Sequence, residues 1–132
     1  MTLSRTNVTA ASRIMLPAYV VFFAAIGINY IRAGATAAAS PPLAFANAFM
    51  PLPAWGALFV GCALLMAAAL ALHRRMLYRW ALRMCGLSMM FWTVVIGFAS
   101  LAGEATPAAA IWPAFVAVAC MASDRSLAVR EV

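Results

Sequence analysis

The chain has 132 residues, of which 67% are hydrophobic and 9% charged, and it carries a formal charge of +6. A soluble domain has about 25% charged and about 45–50% apolar residues, so this sequence cannot cover a water-facing surface of its size. The positive charge is all arginine and falls between apolar stretches rather than in one patch, which argues against nucleic acid and for a membrane surface.

Residues 14–31, 54–72, 84–102 and 107–123 contain no Asp, Glu, Lys or Arg. Crossing the hydrocarbon core takes about 20 apolar residues, with about 17 as a lower limit. These segments are apolar all round, unlike the one-sided helices of a water-soluble bundle. The sequence therefore predicts an all-α integral membrane bundle, a single membrane domain over 1–132 with four transmembrane helices. All the arginines except Arg32 lie before the first span, between the second and third, or after the fourth. Arg-rich short segments stay in the cytoplasm. This predicts a multi-pass membrane protein with N- and C-termini both cytoplasmic.

The first span opens the chain's apolar part. Small residues follow it at Ala33-Gly34-Ala35 and Ala37-Ala38-Ala39, where a signal peptide would be cut. Its length, and the run Asn29, Tyr30 and Arg32 at its end, favour a retained helix. Asn29 is its one strongly polar residue and is expected to make an inter-helix hydrogen bond, worth about 0.6–2 kcal/mol.

Next comes the longest stretch outside the spans. Ser40-Pro41-Pro42 is a helix start and Pro51-Leu52-Pro53 a stop. Over 41–50, Leu43, Phe45, Ala46, Phe49 and Met50 share one half of a helical wheel, with Asn47, Ala44 and Ala48 on the other. The expectation is a short interfacial helix in the first outer loop, with Trp55 anchoring the second span at headgroup level. A helix tucked onto the mouth of the bundle is the alternative.

The turn between the second and third spans runs His73-Arg74-Arg75-Met76-Leu77-Tyr78-Arg79-Trp80-Ala81-Leu82-Arg83. Arg75, Arg79 and Arg83 are four apart and share a face if the third helix starts early. With Arg74, Tyr78 and Trp80 they form the expected lipid or partner contact, at about 1 kcal/mol per basic residue near anionic lipid. The fourth span begins with Thr106 as cap and Pro107 in the first turn, and Pro113 inside it predicts a kink. A short cytoplasmic tail, 124–132, ends the chain.

No catalytic, metal or cofactor site is expected. Small four-helix exporters place an acidic residue in the first helix, and 14–31 has none. Haem needs paired axial ligands, and His73 is the single histidine. Cys62, Cys85 and Cys120 form no C-x-x-C pair and read as packing residues. Gly27, Gly56, Gly61, Gly86 and Gly97 let backbones approach closely, either within one bundle or between copies.

The stretch from Ser40-Pro41-Pro42 through Met50-Pro51 to Ala54-Trp55-Gly56-Ala57-Leu58-Phe59, the turn Arg74-Arg75-Met76-Leu77-Tyr78-Arg79 and the Ile111-Trp112-Pro113-Ala114-Phe115 run carry a resemblance. Together they resemble small four-helix membrane proteins of phages of GC-rich Gram-positive bacteria, often assigned as holins. The resemblance implies a holin-like, non-enzymatic role in host cell lysis, acting as a homo-oligomer among membrane lipids, and brings no catalytic residues. The alternatives are an accessory or anchor subunit of a larger membrane complex, and a superinfection-exclusion protein working through the outer segment.

Overall fold

The computed structural model describes residues 5–37 and 40–128. Five helices follow one another: α1 (Arg5–Ala37), α2 (Pro41–Phe49), α3 (Leu52–Leu72), α4 (Arg75–Leu101) and α5 (Ala108–Ala128). Of the expected tail, residues 129–132 lie outside the described residues, as does the side chain of Arg75.

Three helices are long and apolar enough to cross a membrane, over Met15–Gly34, Leu52–Leu72 and Met76–Leu101. At 1.5 Å per residue, α3 is about 31 Å long, which matches a hydrocarbon core of about 30 Å. The sequence reading gave four spans. The difference is α5, whose last turns are taken by Ser123, Asp124 and Arg125, leaving too short an apolar run within the helix.

Turn chemistry explains where each helix stops. Gly34, with φ of 40°, breaks α1 after the apolar run. Asn47 Oδ1 accepts from the Leu52 backbone N–H at 3.0 Å, so α2 passes directly into α3. His73 adopts left-handed φ and ψ of 50° and 26° and ends α3, and its Nδ1 lies 3.0 Å from Ala71 O. The turn is therefore shorter than the 73–83 segment, because α4 starts early at Arg75 and places Arg79 and Arg83 on a helix. At the far end of α4, Glu104 N–H reaches Ala99 O at 2.9 Å and Gly103 N–H reaches Ser100 O at 3.1 Å. Gly103 has φ of 78° there, the arrangement in which glycine closes a helix with its last carbonyls paired.

The helices form two antiparallel pairs. α1 packs chiefly on α3, and α5 chiefly on α4. The pairs meet through a smaller α3–α4 interface, and α2 lies over it, mostly against α4. Gly27 and Gly56 set the first pair. A Cβ on Gly27 would sit 2.7 Å from Gly56 O, and one on Gly56 would sit 2.6 Å from Gly27 O. Neither backbone has room for a methyl group. In the second pair a Cβ on Gly86 would meet Cys120 Cβ at 3.5 Å and Ala117 O at 3.6 Å, which is ordinary contact.

These distances separate the two crossings experimentally. Gly27→Ala or Gly56→Ala forces α1 and α3 apart, and overpacking of this kind costs about 1–3 kcal/mol or more. Gly86→Ala is expected within about 0.5 kcal/mol of the parent. Thermal unfolding of the purified chain in mild detergent, followed by circular dichroism, ranks the three. Equal losses at Gly27 and Gly86 contradict the assignment.

Candidate functional site at the boundary between the helix pairs

The boundary between the pairs is aromatic at one end and polar at the other. At the aromatic end Trp55 from α3 and Trp92 from α4 meet edge to face, with ring centroids 4.8 Å apart. Trp92 also contacts Tyr30 of α1 at 5.3 Å and Phe59 of α3 at 5.9 Å. Such pairs add about 0.5–1.5 kcal/mol beyond the area they bury. Trp55 is fully buried, with its Nε1–H donating to Ala46 O at 3.3 Å. Its polar edge is satisfied by the backbone of α2 and its apolar rings pack on α4.

The same bond explains α2. Ala46 is fully buried, Leu43, Phe45 and Met50 are half-buried, and Phe49 is exposed. The helix is tucked against the bundle, the second of the two arrangements weighed for it.

Away from the tryptophans, side chains with sulfur or hydroxyl groups converge. Cys62, Cys85 and Cys120 are all free and buried, and they come from α3, α4 and α5. Ser88 Oγ donates to Met84 O at 2.8 Å. Its one hydrogen is therefore used, so the 3.5 Å contact with Cys62 Sγ must have the thiol as donor. Cys85 Sγ–H points to Cys62 O at 4.0 Å. Across the other side of the boundary, the Tyr19 hydroxyl of α1 has Ser123, Cys120 and Cys85 as its polar neighbours. Tyr19 is only 8% exposed, and its Oη finds no hydrogen-bond partner among the described residues. Sequence reasoning treated the cysteines one by one. The register of antiparallel helices, which would have shown them sharing a depth, was the signal to use.

Next to this cluster lies an ionic clamp. Asp124 of α5 accepts from Arg79 Nε on one oxygen at 3.2 Å and from Arg83 Nε on the other at 3.1 Å. The arginines are one turn apart on α4, so one carboxylate bridges both. Asp124 and Arg79 are largely buried, whereas Arg83 is half exposed and lies over the Trp80 ring at 5.8 Å. The arginine face expected to bind lipid or a partner is thus committed in part to holding α5. Arg74 and Trp80 remain exposed, and Tyr78 is half-buried. Asn29 is exposed, on the side of α1 turned away from its neighbours.

Among the described residues no group of three or more His, Cys, Asp or Glu is arranged to hold a metal ion. Compared with known protein families, curated proteins and solved structures, the chain matches none.

Removing the clamp isolates its contribution. Hydrogen bonds to charged groups contribute about 1.5–3 kcal/mol each when shielded and less when exposed. Asp124→Ala is expected to cost about 2 kcal/mol and to loosen the end of α5, with Arg83→Ala costing clearly less. Proteolysis near Arg125 in detergent reports the loosening. A variant cut no faster than the parent would show that α5 is held by apolar packing alone.

Proposed function

We propose that this chain is a four-span, holin-like protein of the bacterial cytoplasmic membrane that self-associates and permeabilises it. In this reading α5 is the fourth span, carried across by its packing along α4. Both termini and the His73-Arg74 turn are then cytoplasmic, where Arg74 and Trp80 meet anionic headgroups. The observation that carries the reading is the division of the bundle. Two closely packed pairs meet across a boundary that holds Tyr19, Cys62, Cys85 and Ser88, while the outward faces of α4 and α5 present Leu87, Phe91, Val94, Phe98, Ile111 and Phe115. Lipid covers such an exterior, and a protein that opens between its pairs has polar groups ready to meet water. The loose sequence resemblance to phage membrane proteins supports the same reading.

One observation favours a second reading. Phe49 on α2 is 59% exposed, outside any spanning segment, and a chain that docked on another envelope protein, as an accessory subunit or an exclusion factor, would use it.

Inducible expression of the chain alone, with membrane potential and culture density followed together, decides between them. Abrupt depolarisation at a reproducible time supports permeabilisation, whereas unchanged potential and growth at high expression overturns it. Topology is tested in the same cells by thiol labelling, with Ser40→Cys labelled from outside and Arg74→Cys protected. Labelling of position 74 from outside rejects the proposed orientation.

A further inference from the structure

The boundary between the pairs has a direction. Beside one end of it, within the α4–α5 pair, lies the Arg79–Asp124–Arg83 clamp. Tyr19, Cys120 and Cys85 come next, then Cys62 with Ser88. It ends at Trp55, Trp92 and Phe59. The polar stretch contains the buried hydroxyl of Tyr19, which lies beside the Ser123 hydroxyl without a well-formed hydrogen bond. Buried polar groups are ordinarily paired with protein or water, so this oxygen keeps capacity that water would fill. The aromatic end offers water nothing, since the Trp55 Nε1–H is already taken by Ala46 O. Hydrophobic constrictions of this kind close a path by excluding water from it.

We propose that this boundary is the conduit through which water and small ions pass when the protein permeabilises a membrane. Tyr19, Cys85, Cys62 and Ser88 line it, and Trp92 closes it at rest. The proposal rests on the permeabilisation reading and names where in the bundle it happens. The pairs separate as bodies, because the Gly27–Gly56 crossing and the Asp124 clamp lie within pairs, not between them. Separation at Trp92 then joins the polar stretch to the other side.

The native cysteines report on this directly. The full chain is reconstituted into vesicles of phosphatidylethanolamine and phosphatidylglycerol, and ion flux is recorded with a water-soluble, charged methanethiosulfonate present. Modified cysteines are identified by mass. In sealed vesicles Cys62 and Cys85 are expected to stay unmodified. Once flux begins they are modified, and the bulky adduct then lowers the flux, an effect absent when both are replaced by alanine. Trp92→Ala is expected to raise flux and the rate of Cys62 modification together, by about tenfold or more, since it removes the ring on which Trp55, Phe59 and Tyr30 converge at the closure. Flux in the parent chain with Cys62 and Cys85 unmodified overturns this conduit and leaves permeabilisation standing, whether or not the Trp92 variant folds. Vesicles that never leak overturn both.

Discussion

The packing of this bundle depends on the point where α1 crosses α3 with no side chain between them. Two glycines face each other's backbones there, each with the space of its own missing Cβ filled by the other's carbonyl. In a lipid environment there is no hydrophobic drive to bring helices together, so dispersion contact between close backbones has to hold them. The crossing also decides where bulk goes. With α1 and α3 in contact, Tyr30, Phe59 and Trp55 have no room between the two helices and are directed towards α4. Their rings pack there with Trp92, and Phe23 packs on Phe59 behind them. The aromatic cluster is thus a consequence of the glycine crossing as well as of the apolar sequence.

Polar groups inside the helices are handled in one consistent way. Ser88, Thr93, Ser100 and Ser123 each donate to the carbonyl one turn earlier, at 2.8–3.0 Å. A hydroxyl bonded to its own helix in this way can sit in an apolar bundle at little cost. What remains is acceptor capacity on the oxygens, used at Ser88 by the Cys62 thiol. A dry bundle tolerates that state, and a wet one loses nothing by it.

Helices and their ends were largely legible in the sequence, because length, apolar content and punctuation at Pro51, Gly103 and Thr106 act locally. The early start of α4 was open to the four-residue spacing of Arg75, Arg79 and Arg83. Less legible were the features created by one helix lying beside another. The partner of the Trp55 Nε1–H, Ala46 O, lies nine residues away on another helix and cannot be read from the tryptophan itself. Arg79 and Arg83 looked free because their partner, Asp124, is 45 and 41 residues away in the chain. Asp124 was read as the start of a short tail, although it closes α5 onto α4. The fourth apolar run reads as a span from its residue types, and the place where its helix continues into Asp124 and Arg125 depends on the clamp to α4.

The same arrangement says why opening would require more than one copy. If the pairs of a single bundle parted in lipid, the Tyr19 oxygen, the cysteines and Ser88 would face hydrocarbon, where unpaired polar groups are costly. The aromatic contacts at Trp92 would also be lost with nothing gained. If several copies part together and turn these faces towards each other, the enclosed space is polar enough to hold water, and the outer faces of α4 and α5 still meet lipid. The closed form is then favoured when copies are few and the open form when they are many, because only the open form gains from the neighbour. In this proposed mechanism a threshold in surface density follows from where the polar side chains lie. No separate trigger, and no charged group at the aromatic end, is required for it.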